Sequence, residues 1–129
     1  MSAKILVVDD SRVARTQVAT ILGDAGYPVI EAFDGADGIE KLKENTDVGL
    51  VICDVNMPGM NGLELLAAAK ADPALRAIPI VMLTTEAQPE LIKEAKTRGA
   101  LGWLIKPVKG ELLLAAVRKV TAIPLARAV

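Results

Sequence analysis

The chain has 129 residues, 52% hydrophobic and 24% charged, with a formal net charge of -1. That length suits one domain with a real core, and Lys and Arg scattered along a near-neutral chain give no electrostatic footprint for nucleic acid or an anionic membrane. There is no histidine and Cys53 is the only cysteine, which excludes Ser-His-Asp and Cys-His nucleophiles, histidine-ligated metals and an internal disulfide, and leaves the chemistry to carboxylates, hydroxyls and amines.

In chain order, Lys4 to Asp9 reads as a first strand, an apolar run closing on the acids Asp9 and Asp10. Ser11 to Ala25 reads as a helix with Ala14, Val18, Ile21, Leu22 and Ala25 at three- and four-residue spacings, ended by Gly26. Val29 to Phe33 is the second strand, and Asp34-Gly35 turns the chain into a helix whose Ile39 and Leu42 face inward. Leu50 to Asp54 is the third strand, an apolar run stopped by a carboxylate and then by Met57-Pro58-Gly59. Asn61-Gly62 opens a helix carrying Leu63, Leu66 and Ala67, which stops near Asp72-Pro73.

Ile80 to Leu83 is the fourth strand and runs into Thr84-Thr85-Glu86. A helix follows with Pro89 in its first turn and Gly99 past its end. Leu101 to Ile105 is the fifth strand. After Lys106-Pro107 a last helix sets Leu112, Leu113, Ala116, Val117 and Val120 on one stripe, and Pro124 marks its limit, so residues 1–121 form the domain and 122–129 a short tail. No run approaches the roughly 20 apolar residues of a membrane span and the start lacks a signal-peptide core, so the expected compartment is the cytoplasm.

Five nearly continuous apolar strands alternating with five helices predict an α/β fold, a doubly wound parallel sheet covered by helices on both faces. Such sheets bind ligands beyond the carboxyl ends of their strands, where the strand order reverses. Asp9, Asp10, Asp54, Thr84 and Lys106 all fall at those ends. Taken singly, each has a plain alternative: Asp10 or Ser11 as a helix N-cap, Asp54 as a turn residue, Thr84 or Thr85 as a cap, Lys106 as an ordinary loop residue before proline.

Together they are harder to dismiss. Carboxylates about 4 Å apart repel by roughly 4 kcal/mol per pair at an effective dielectric near 20, so three of them hold either a proton or a cation. Oxygen-only ligands favour Mg2+. Lys106 is the natural counter-charge for an anion held on Asp54, and a cis Lys106–Pro107 bond, available at modest cost, would turn its ammonium back across the strand ends. A hydroxyl at Thr84 can donate to a new oxygen on Asp54. Cys53 alternates away from Asp54 and reads as a small core residue, and Trp103 is either plain packing or a ring that responds to occupancy of the site.

Leu6-Val7-Val8-Asp9-Asp10-Ser11, Asp54 to Gly62, Leu83-Thr84-Thr85-Glu86 and Lys106-Pro107 together resemble the receiver domain of two-component response regulators, most closely the stand-alone chemotaxis type, from about Lys4 to Val120. The resemblance implies a flavodoxin-like sheet of order 2-1-3-4-5. It further implies that Asp54 accepts a phosphoryl group from a partner sensor histidine kinase, while Asp9, Asp10, Asp54 and the backbone carbonyl of Asn56 place Mg2+. Lys106 then pairs with the phosphoryl oxygens, Thr84 hydrogen-bonds them, and Trp103 stands where the family has its switch aromatic. Asn56 and Glu86 occupy positions that tune dephosphorylation, and Asn61 replaces a common aspartate with little expected effect.

On this expectation the chain is a monomeric phosphoacceptor rather than a conventional enzyme, one that promotes its own phosphorylation and dephosphorylation. It would signal to a downstream protein such as the flagellar motor switch through the face of residues 88–98, 101–105 and 109–119. A phosphorelay intermediate or phosphate sink is the alternative within the family. An aspartate-dependent phosphatase of the haloacid dehalogenase class needs a second acid two residues after its nucleophile, where Ser11 follows Asp9. A flavodoxin would need a hydroxyl- and glycine-rich phosphate loop where Asp9 and Asp10 stand.

Overall fold

Ten elements alternate along the chain: β1 (Lys4–Val8), α1 (Arg12–Asp24), β2 (Val29–Ala32), α2 (Gly35–Glu44), β3 (Val48–Asp54), α3 (Gly62–Ala71), β4 (Ile80–Thr84), α4 (Pro89–Thr97), β5 (Gly102–Ile105) and α5 (Gly110–Ala128). The computed structural model describes residues 4–85 and 89–128, with 121–128 as backbone only. All strand pairings are parallel, in the order β2-β1-β3-β4-β5. This is the doubly wound, flavodoxin-like α/β sheet expected, with its reversal of order between β1 and β3.

The strands are apolar throughout because both faces are covered. Leu6, Val8, Val51, Cys53 and Met82 pack with Leu42, Leu65, Leu66 and Ala95 beneath α2, α3 and α4. Ile5, Val7, Leu50, Ile52 and Leu83 pack with Val18, Leu22, Leu113 and Val117 beneath α1 and α5. The period-2 alternation of a strand sends neighbouring residues to opposite layers, so both sets must be hydrophobic. Burying a side chain of this size contributes about 1.5–3 kcal/mol.

The helix starts follow local chemistry. Ser11 caps α1 by accepting from the Ala14 amide, and Asp34 caps α2 by accepting from the Asp37 amide at 2.7 Å. Asn61 and Glu64 form a reciprocal capping box at α3, each side chain bonded to the other's backbone amide. Asn61 thus caps α3, a role that Asn and Asp fill comparably well. Gly99, at φ 103, turns the chain after α4 in a conformation that side-chain-bearing residues rarely adopt.

Several boundaries differ from expectation. β1 stops at Val8 and β2 at Ala32, so Asp9 and Phe33 lie just past their strands; β3 begins earlier, at Val48, and β5 one residue later, at Gly102. Ala25 is an exposed C-cap rather than an inward position. Leu112 is 59% exposed, because Leu113, Val117 and Val120 already form the inward i, i+4, i+7 stripe and Leu112 sits about 100° around the helix from it. α5 continues through Pro124 to Ala128; a proline withholds one amide donor and disfavours the helix without forbidding it. Among the described residues no helix is long and apolar enough to cross a membrane.

Candidate functional site

Register builds the site. Val8 is level with Cys53 across β1 and β3, so the next residues, Asp9 and Asp54, emerge side by side where the strand order reverses. Both are buried, at 0% and 4% exposure, while Asp10 is exposed at the rim. Carboxylate oxygens of Asp9, Asp10 and Asp54 lie within 4.8 Å of one another. Cys53, one residue earlier, points into the opposite layer, and its thiol is fully buried and pushed up by that burial, which makes it a core residue as expected.

Lys106 joins the cluster from the far side of β4. Its backbone amide donates to the Thr84 carbonyl at 2.7 Å, the Lys106–Pro107 bond is cis, and its Nζ lies 2.6 Å from Asp9 Oδ2 and 3.3 Å from Asp54 Oδ1. The remaining Asp9 oxygen, Oδ1, accepts from the Ser11 amide at 2.9 Å. Burial, and then the neighbouring charge of Asp9, push the Asp54 carboxyl up to about 6 against the pull of Lys106. Burial works against the charge on Lys106, yet the hydrogen bond to Asp9 and the charges of Asp54 and Asp9 outweigh it and hold the ammonium above its usual range. One lysine does not balance three acids, and an all-oxygen donor set of this spacing fits a hard divalent cation such as Mg2+.

Thr84 is the last residue of β4 and 1% exposed, one register step beyond Leu83, which pairs with Asp54. Asn56 is exposed in the loop two residues after Asp54. Trp103 lies opposite Met82 on β5, packs against the layer beneath α4, and has a buried Nε1 with no hydrogen-bond partner among the described residues. It sits three residues, about 10 Å of strand, before Lys106. Glu86 lies outside the described residues.

Two contributors carried no sequence signal beyond residue type. A Cβ on Gly62 would come within 2.2 Å of the Asp54 carbonyl oxygen and 2.9 Å of the Val55 Cα, so glycine is what lets α3 start against the acid-bearing strand end. Its place after the cap residue Asn61 hinted at a helix start and not at this contact. Arg15, in α1, donates from Nη1 to the Asp9 carbonyl oxygen at 2.8 Å. Nothing in its spacing marks it.

Residues 5–118 match the family model for the response regulator receiver domain. Over 111 residues, 85% of this chain and 90% of the relative, the sequence is 40% identical to chemotaxis protein CheY1 of Helicobacter pylori. It is 39% identical to chemotaxis protein CheY-3 of Vibrio cholerae over 118 residues, 91% of this chain and 90% of the relative. The solved structure of Vibrio cholerae chemotaxis protein CheY4 is similar at a TM-score of 0.88 and 42% identity, covering 93% of this chain and 99% of that one.

Proposed function

Since the chain belongs to the response regulator receiver domain family, we propose that it is a chemotaxis-type response regulator whose Asp54 accepts a phosphoryl group from a phosphohistidine on a partner kinase. A carboxylate oxygen of Asp54 attacks phosphorus, the P–N bond to the donor histidine breaks, and an acyl phosphate results. The single observation that carries this reading is the convergence of Asp9, Asp10 and Asp54 within 4.8 Å with Lys106 bridging two of them. Phosphoryl transfer needs positioning and charge neutralisation more than covalent help from the protein, and the chain offers both. Mg2+, held by Asp9, Asp10, Asp54 and the Asn56 carbonyl, would supply further neutralisation of the phosphoryl oxygens.

Lys106 exchanges a carboxylate partner for a phosphoryl oxygen, and Thr84 donates to another. These are charge-assisted bonds gained only after transfer, and they bias a two-state equilibrium. A shift from mostly off to mostly on requires about 5.5 kcal/mol of differential stabilisation. Trp103 reports the change from β5, and Asn56 and Glu86 tune its lifetime. Leu101, Ile105 and Leu112, all at least half exposed, offer a target protein an apolar surface over β5 and α5. A cleft of about 400 Å³ lined by Trp103, Ile105, Val108 and Leu112 lies on that same face.

The test is Trp103 fluorescence during addition of Mg2+ followed by beryllofluoride or acetyl phosphate, with Asp54→Asn alongside. A saturable change confined to the unaltered chain is expected. An equal change in Asp54→Asn, or none in either, would refute the phosphoryl switch. A kinase panel with pull-down of flagellar switch components then tests the chemotaxis assignment, and onward transfer to a second histidine protein would replace it with a phosphorelay.

A further inference from the structure

Arg15 and Glu31 belong to none of the motifs that define the site, yet their contacts end on the acidic turn. Arg15 Nη1 donates to the Asp9 carbonyl oxygen at 2.8 Å, and its Nε donates to Glu31 Oε1, on β2, at 3.0 Å. The Arg15 side chain is only 16% exposed. The carbonyl it holds belongs to the peptide joining Asp9 to Asp10, so the plane of that peptide sets the direction in which the chain leaves for Asp10.

The two acids differ in what else holds them. The Asp9 carboxylate is anchored by the Ser11 amide and by Lys106. Asp10 makes no side-chain hydrogen bond or ion pair among the described residues, so its place beside Asp54 is inherited from the backbone alone. A guanidinium suits the task, because its rigid fork satisfies the carbonyl and Glu31 at once, which the single ammonium of lysine on a flexible stem does less well. Glu31 also offsets the charge of Arg15, so the anchor adds little positive field to a pocket shaped for a cation.

We infer that Arg15, with Glu31 as its counter-charge, is a positioning residue that fixes the Asp9–Asp10 peptide and thereby sets the affinity of the acidic cluster for a divalent cation. The inference rests on Asp9, Asp10 and Asp54 being a cation site. Calorimetric titration of Mg2+ into the full chain tests it, with urea unfolding of each variant in parallel. Arg15→Ala is expected to weaken Mg2+ binding about tenfold or more, the usual scale for removing a group that orients a metal ligand. Arg15→Lys is expected to lose about threefold or more, and Glu31→Gln, which keeps an acceptor for Arg15 but leaves the guanidinium charge uncompensated, about threefold.

A merely structural Arg15 would lower the unfolding midpoint and leave the Mg2+ dissociation constant of the folded chain within about twofold of the unaltered one. That result overturns the inference. Should Arg15→Ala fail to fold, Arg15→Lys decides by the same twofold criterion. A flat titration of the unaltered chain would remove the cation site itself, and the role of Arg15 with it, whereas saturable binding that Arg15→Ala leaves unchanged removes the role of Arg15 alone.

Discussion

The ammonium of Lys106 stands 2.6 Å from the carboxylate of Asp9, a residue 97 positions earlier in the chain, and the same ammonium reaches Asp54 at 3.3 Å. One cation thus serves two buried acids at the ends of adjacent strands. Its position explains how such acids coexist at the carboxyl end of the sheet.

Replacing Lys106 with methionine, of similar length but neutral, leaves Asp9 and Asp54 buried without that counter-charge. Removing one partner of a buried pair costs about 3–5 kcal/mol, and a loss near the lower figure is expected because the Lys106 side chain is itself 14% exposed. The cost depends on pH in a defined sense. Without the lysine, burial holds the Asp54 carboxyl further above its unfolded value, so the variant loses stability as pH rises. Urea unfolding at pH 5 and pH 8 should show the gap to the unaltered chain widening at the higher pH.

The opposite sign is expected for Asp54→Asn. The folded carboxyl titrates at about 6, above its ordinary value of 3.8. The unaltered chain therefore carries no penalty below the ordinary value and acquires it as pH rises through 6. A shift of this size, already net of the pull of Lys106, corresponds to about 3 kcal/mol. In buffer containing a chelator, Asp54→Asn should be more stable than the unaltered chain by about 3 kcal/mol at pH 7.5, a gap that closes below pH 3.8. A gap that does not change with pH would contradict this account of the burial.

Divalent-cation binding should appear as stability before any phosphoryl donor is added. A ligand at a hundred times its dissociation constant stabilises the folded state by about 2.7 kcal/mol. Asp10 is exposed and makes no side-chain hydrogen bond or ion pair among the described residues, so Asp10→Asn should leave the metal-free stability within about 0.5 kcal/mol while removing most of the Mg2+ increment. Thermal unfolding with Mg2+ and with a chelator measures both.

Gly62→Ala separates packing from charge. An alanine Cβ would meet backbone atoms of Asp54 and Val55, which cannot yield as a flexible side chain would. Overpacking of this kind costs about 1–3 kcal/mol, set against the few tenths to 1 kcal/mol by which alanine exceeds glycine inside a helix. A net loss of about 2 kcal/mol is expected, accompanied by weaker Mg2+ binding because the end of β3 is displaced. A variant as stable as the parent would show that α3 can shift away from the strand at little cost.

The sequence by itself determined the layer architecture. Strands buried on both faces must be continuous apolar runs, and Leu50 to Cys53 or Ile80 to Leu83 admit no half-exposed alternative. It also determined that Asp9, Asp54 and Lys106 stand at strand ends, since a charge that halts such a run marks where the sheet meets water. Tertiary structure alone decided the rest. That Leu112 faces out while Leu113 faces in depends on which side of α5 the sheet occupies. The sharing of one ammonium by two acids, and the grip of Arg15 on the Asp9 carbonyl, depend on strand register and on a helix crossing that bring together residues with no local relationship in the chain. Spacing along a polymer encodes which face a side chain occupies; distances between faces exist only once the layers have closed.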